Sequence, residues 1–146
     1  MRSALDGVMD PEIPACSITD LGMVERIKVT SEVLEVDLLP TFVGCPATDM
    51  IRRDVEKALK AIAGDAPVIV RFVWDPPWTT DRITPEGRKA MSGFGIAPPL
   101  LQIAVPCPYC GSRETFIESE FGPTPCRTIR YCRSCSNPFE GFKRKE

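Results

Sequence analysis

Over residues 23–30 the set Met23, Glu25, Ile27 and Val29 alternates with Val24, Arg26, Lys28 and Thr30, and over residues 33–39 Leu34, Val36 and Leu38 alternate with Glu35 and Asp37. A period of two marks a strand with one buried face. The pattern therefore predicts two strands joined by a tight turn at Ser31-Glu32. Beyond Pro40 the period changes: Met50, Ile51, Val55, Ala58, Leu59 and Ile62 recur near 3.6 residues and predict a helix over residues 46–63, closed by Gly64. Residues 68–74, Val-Ile-Val-Arg-Phe-Val-Trp, are apolar on nearly both faces, which predicts a strand covered on each side. Thr84-Pro85-Glu86 reads as a helix start, with Thr84 as cap and Pro85 at the first helical position; the helix runs to about Ser92, where Gly93, Gly95 and Pro98-Pro99 stop it. At the front, Val8-Met-Asp-Pro-Glu-Ile-Pro14 carries two prolines and two acids and predicts an extended turn after a short helix.

Pro98-Pro99 is the natural boundary, giving one domain over residues 1–97 and a second over 98–146. A segment of about 45 residues is too small to bury a useful core without a staple. The staple is visible. Cys107-Pro-Tyr-Cys110 and Cys132-Arg-Ser-Cys135 are two Cys-x-x-Cys pairs separated by 21 residues, close to the spacing of four-cysteine zinc sites. Each pair aims two thiolates at one point from a tight turn, and residues 115–118 and 128–131 can supply strands that bring the turns together. Tetrahedral sulfur also suits iron, but a closed set of four thiolates without histidine is most often structural zinc. The expected metal ligands are Cys107, Cys110, Cys132 and Cys135, with a scaffolding role.

Composition narrows the remaining chemistry. The 146 residues hold no histidine, which removes the usual general base, the nucleophile-histidine triads and imidazole metal sites. The formal charge of -2 gives no bulk attraction to nucleic acid. Residues 101–146 are mildly basic, with seven Lys/Arg against five Asp/Glu, and Lys143-Arg144-Lys145 is expected to solvate the end while Phe139 and Phe142 pack the ribbon. No apolar run is long enough to cross a bilayer and the first twenty residues lack a secretion signal, so a cytosolic location without a membrane partner is expected. Seven cysteines in a reducing compartment argue against structural disulfides.

Three further features remain open on the residues alone. Cys45, in Gly44-Cys45-Pro46, precedes the predicted helix at the cap, where orphan amides and the helix dipole would favour a thiolate; the alternative is a small apolar cap residue. Asp10 and Glu12, two apart, would point the same way on an extended segment and could assist proton transfer or hold a cation, or simply be a solvated proline turn. Trp74-Asp-Pro-Pro-Trp78 is either a recognition surface or a strand end with packed aromatics. Cys126, outside both pairs, reads as a small buried residue.

The strings Val8-Met-Asp-Pro-Glu-Ile-Pro14, Ile18-Thr-Asp-Leu-Gly-Met-Val24, Thr41-Phe-Val-Gly-Cys-Pro46 and Trp74-Asp-Pro-Pro-Trp78, in that order, together resemble the iron-sulfur assembly domain family of SufT/PaaD type. The tail with its cysteine pairs and Pro138-Phe-Glu-Gly-Phe-Lys143 resembles the members that accompany the phenylacetyl-CoA epoxygenase system. The resemblance implies an α+β fold, a small mixed sheet flanked by helices, plus the C-terminal zinc ribbon. It implies a cytoplasmic accessory factor for iron-sulfur or iron-centre assembly, with the motif cysteine on Cys45 and the acidic motif on Asp10 and Glu12. The implied partners are the oxygenase or reductase subunits. A lone thiolate cannot complete a cluster site, so any transient iron-sulfur cluster would need a homodimer, glutathione or client cysteines. Without a nucleotide-binding glycine motif or a histidine-carboxylate di-iron set, the chain is not expected to catalyse the oxidation itself. A non-catalytic adaptor that holds oxygenase components through its ribbon is the competing expectation.

Overall fold

The computed structural model describes residues 2–42, 46–99 and 105–145. A short helix, α1 (Arg2–Leu5), leads into the proline turn, and the alternating segments form β1 (Val24–Val29) and β2 (Leu34–Leu38), an antiparallel hairpin. Its turn closes where the Thr30 amide donates to the Val33 carbonyl at 3.0 Å. Helix α2 (Thr48–Ala63) then crosses over and returns the chain to β3 (Val68–Phe72), which pairs parallel to β2, giving a mixed sheet in the order β1-β2-β3. Ile51, Val55 and Leu59 of α2 lie fully buried against Leu34, Val36, Leu38 and Val70 of the sheet.

Two expectations need correction here. The strand β3 is not covered on both faces: it is an edge strand in which only Val70 is buried and Ile69 is 40% exposed. Its apolar composition reflects strand propensity as much as burial. Conversely Asp37, on the outward face of β2, is buried because Arg26 and Arg71 from both neighbouring strands close over it, with ion-pair distances of 2.7 and 2.9 Å.

After β3 a single 3-10 turn (Thr80–Arg82) leads into α3 (Pro85–Gly93), whose Thr84 cap accepts from the Gly87 amide at 3.0 Å. The second sheet has the order β4-β7-β6-β5, built from β4 (Ile96–Ala97), β5 (Thr115–Ser119), β6 (Arg127–Cys132) and β7 (Pro138–Phe142). Its first strand comes from the segment just before Pro98-Pro99 and pairs parallel to β7. Burial links the halves further, since Phe142 and Cys126 belong to the same apolar cluster as the α2-side core, while Ala97, Val105, Cys107, Cys132 and Phe139 form a smaller cluster under the cysteines. Phe42, Trp78 and Phe142 meet edge to face or tilted, with centroids 5.8 to 6.1 Å apart. Among the described residues, no helix is long and apolar enough to cross a membrane.

Candidate metal centre and assembly motif

Two knuckles converge at one end of the second sheet. In the first, the Gly111 amide donates to the Cys107 carbonyl at 2.8 Å, and Gly111 takes the left-handed conformation (φ 76°) that the tight reversal requires. In the second, the Cys132 amide donates to the Asn137 carbonyl at 3.0 Å, with Ser136 left-handed at φ 58°. Registration of β5 against β6, Thr115 opposite Cys132, sets the knuckles face to face. The Sγ atoms of Cys107 and Cys135 are 3.7 Å apart, those of Cys110 and Cys132 are 3.6 Å apart, and all four lie within 4.8 Å of one another. A tetrahedral ion with metal–sulfur bonds of about 2.3 Å has sulfur–sulfur edges of about 3.8 Å. The cluster therefore fits a four-thiolate metal ion. All four tetrahedral positions are supplied by the chain, which suits a structural ion rather than one with an open site.

The thiols are unequal. A hydrogen bond from the Asn137 side chain holds Cys135 down to about 7. At Cys110 a backbone hydrogen bond from Ser112 works to lower the value, but desolvation and the hydrogens shared with the neighbouring sulfurs prevail and push it up to about 12. Cys107 and Cys132 are buried, and the Tyr109 amide donates to the Cys107 sulfur at 3.4 Å.

The N-terminal motifs resolve mostly into scaffolding. The acidic turn is compact, not extended: Asp10 Oδ1 accepts from the amides of Glu12 at 2.7 Å and Ile13 at 3.0 Å. The two acids thus do not project side by side as an extended strand would present them, because Asp10 is turned back onto Glu12's own backbone. Asp10 is buried, and burial raises its carboxyl above the usual range against the pull of those two amides; Glu12 raises it further, while Arg127 draws it down. In Ile18-Thr-Asp-Leu-Gly the Asp20 amide donates to Ser17 Oγ, and the Asp20 carbonyl accepts from the Thr84 amide at 2.8 Å. Gly22 is left-handed (φ 68°), with Arg82 where a Cβ would stand. Trp74-Asp-Pro-Pro-Trp78 divides: Trp74 is 60% exposed, whereas Trp78 is buried and donates from Nε1 to the Leu21 carbonyl at 2.7 Å.

Cys45 lies outside the described residues. Its helix is described, and it starts later than the pattern predicts: the N-cap is Ala47, already in helical conformation and without a side-chain cap. Cys45 is therefore two positions ahead of the cap in sequence rather than at it. Asp49 occupies the first turn instead.

Sequence reasoning passed over Cys16 and Arg127 and misplaced Lys145. Cys16 is fully buried, donates weakly to the Gly87 carbonyl at 3.4 Å, and burial first, then Asp20 and Asp10, push its thiol up to about 11. Its burial closes it off from solvent. Arg127, buried in β6, pairs with Glu140 at 2.7 Å and reaches Asp10 electrostatically. Lys145, expected to solvate the end, instead donates to the Thr41 carbonyl at 3.0 Å with its ammonium 5.5 Å from the Phe42 ring centroid. Only a long-range contact gives it that role, so no local pattern signals it. Cys126 is buried, as expected.

Comparison with known proteins finds two family matches along the chain. The family described as iron-sulfur cluster assembly protein matches residues 1–70, and that described as PaaD zinc beta ribbon domain matches residues 99–143. A putative 1,2-phenylacetyl-CoA epoxidase subunit of Escherichia coli K12 is 40% identical over 146 aligned residues, covering 95% of this chain and 88% of that protein. The Fe-S protein maturation auxiliary factor SufT of Staphylococcus aureus is 35% identical, covering 62% of this chain and 99% of that protein. Among solved structures, a conserved hypothetical protein of Thermotoga maritima matches with TM-score 0.53 at 36% identity, covering 64% of this chain and 88% of that one. A DUF59 domain from Bacillus anthracis matches with TM-score 0.56 at 28% identity, covering 61% and 85%.

Proposed function

Because the chain belongs to the iron-sulfur cluster assembly family in its PaaD-type form, an assembly domain followed by a zinc ribbon, we propose that it is a non-catalytic, cytosolic maturation factor for a phenylacetyl-CoA epoxygenase. In this reading Cys45 receives or passes iron or a transient iron-sulfur cluster, and zinc in the four-cysteine site holds the ribbon that docks the oxygenase or reductase subunits. The observation that carries it is the division among sulfur atoms. Of the described cysteines, four converge on one point and two, Cys16 and Cys126, are buried, which leaves thiol chemistry to Cys45. Asp10, committed to the turn, contributes shape, and half-buried Glu12 is the carboxylate left to handle a cation.

Replacing Cys45 by Ser should leave thermal stability and zinc content unchanged and yield under-metallated client; fully metallated client would reject the thiol role. An adaptor reading is favoured by one observation, the exposed ribbon aromatics Tyr109 (62%) and Phe121 (84%). It requires Cys45→Ser to be silent while Tyr109→Ser or Phe121→Ser releases the client.

A further inference from the structure

Thr41 and Phe42 are the last described residues before the segment 43–45 that carries the motif cysteine. What holds them comes from the opposite end of the chain. As β7 runs out, Phe142 packs edge on against Phe42, centroids 5.8 Å apart, and against Trp78 at 6.1 Å. Three residues later the Lys145 carbonyl is gripped twice by Thr80, from its amide at 2.8 Å and its Oγ1 at 3.0 Å. With its backbone fixed in this way, Lys145 sends its ammonium across the Phe42 face to the Thr41 carbonyl at 3.0 Å. Thr80 is tied in turn, because its carbonyl accepts from Arg88 of α3 at 2.9 Å, and the other arm of Arg88 donates to the Pro99 carbonyl at 2.6 Å.

A long, flexible side chain near a terminus ordinarily samples solvent, and fixing it costs conformational entropy. A charge-assisted hydrogen bond to a carbonyl together with an aromatic face offsets that cost. Lys145 is thus ordered by contacts from two separate segments, Thr80 on one side and Thr41-Phe42 on the other.

We propose that Lys145, seated by Thr80 and backed by Phe142, is a positioning residue that fixes Thr41 and Phe42, which stand next to the Cys45 segment in sequence. The inference rests on the reading of Cys45 as the transfer thiol, and it gives the ribbon a role besides docking: the end of its last strand holds Thr41 and Phe42 of the assembly domain in place.

The test uses the full, metal-loaded chain. Lys145→Met keeps the hydrocarbon stem over Phe42 and removes the donor and the charge; Lys145→Arg keeps both. Amide hydrogen exchange is followed in peptides covering residues 39–48 and, as reference, residues 113–133, alongside the rate of client metallation. In Lys145→Met exchange should accelerate about fivefold in 39–48, the equivalent of one lost net hydrogen bond of about 1 kcal/mol, with the ribbon peptides unchanged and client loading reduced. Lys145→Arg should restore both. Unchanged exchange in 39–48, an equal acceleration in the ribbon, or undiminished client loading despite faster exchange would each overturn the proposal. Failure of the thiol reading itself shows separately, as normal loading by Cys45→Ser with the exchange result intact.

Discussion

Asp10 illustrates how a motif residue can be correctly singled out and wrongly oriented. Its spacing to Glu12 suggests a projecting carboxylate pair on an extended segment, but the segment turns at Asp10, whose side chain closes an Asp turn on two amides. Because this carboxyl is buried and raised above the usual range, chiefly by desolvation, the folded protein holds its proton more tightly than the unfolded chain does. The associated stability is present below the unfolded carboxyl value and is lost as pH rises through the folded one. Asp10→Asn keeps an acceptor at Oδ1 without the buried charge, so its stability should equal or exceed that of the natural protein at neutral pH and vary less from acid to neutral pH. Asp10→Ala, which leaves two amides unpaired, should lose about 1–3 kcal/mol. Urea unfolding of both variants across that range checks the point; an Asn variant as damaged as the Ala one would show that the negative charge itself is needed. Cys16 was illegible for a related reason: nothing in its neighbours marks it as a buried weak donor to the Gly87 carbonyl, 71 residues away.

Elements whose signals are local were legible. Thr84-Pro85 starts α3 because a cap and a first-turn proline act within four residues, and the α2 stripe and the hairpin alternation also carry their own evidence. The strands β4 and β7 were not legible, because β4 is two residues long and β7 contains both a proline and a glycine; they exist through pairing with distant partners. At Gly141 in β7 an added Cβ would stand 2.9 Å from Arg130 Nε, the far end of a flexible side chain that can move aside. A backbone neighbour yields a test in α3. A glycine in a helix interior normally gains about 1 kcal/mol on becoming alanine. At Gly87 the new Cβ would meet the Asp20 carbonyl oxygen at 2.8 Å and the Asp20 Cβ at 3.1 Å, within the Ile18-Thr-Asp-Leu-Gly motif. The close approach should reverse the sign: Gly87→Ala should lower Tm by roughly 3–9 °C, a strain of about 1–3 kcal/mol, whereas Gly93→Ala, with nothing within 4 Å of its added Cβ, should not. Equal melting temperatures for the two variants would remove the packing account of this motif.

At the scale of the whole molecule, the four-thiolate site was readable from spacing alone, whereas the coupling between halves was not, because Phe42, Trp78 and Phe142 are distant in sequence and meet only in the folded molecule. That coupling makes the metal's influence extend beyond the ribbon. The apolar cluster beneath the cysteines comprises Ala97, Val105, Cys107, Cys132 and Phe139, two of them ligands, so loss of the ion should loosen β6 and β7 from their cysteine end despite their ladder and the Arg127–Glu140 pair. Loss of β7 would withdraw Phe142 from Trp78, which is 1% exposed in the intact fold, while leaving α2 packed on β2 and β3. In a Trp74→Phe background, which removes the exposed indole, stripping the metal with a chelator, or replacing Cys132 by Ser, should red-shift and weaken the remaining tryptophan emission. Most of the far-ultraviolet helix signal should persist, and restoring zinc should reverse the change after chelation. Emission that stays fixed when the metal leaves would mean that the aromatic junction stands without the ribbon's ion, and that the two halves are joined in space but not in energy.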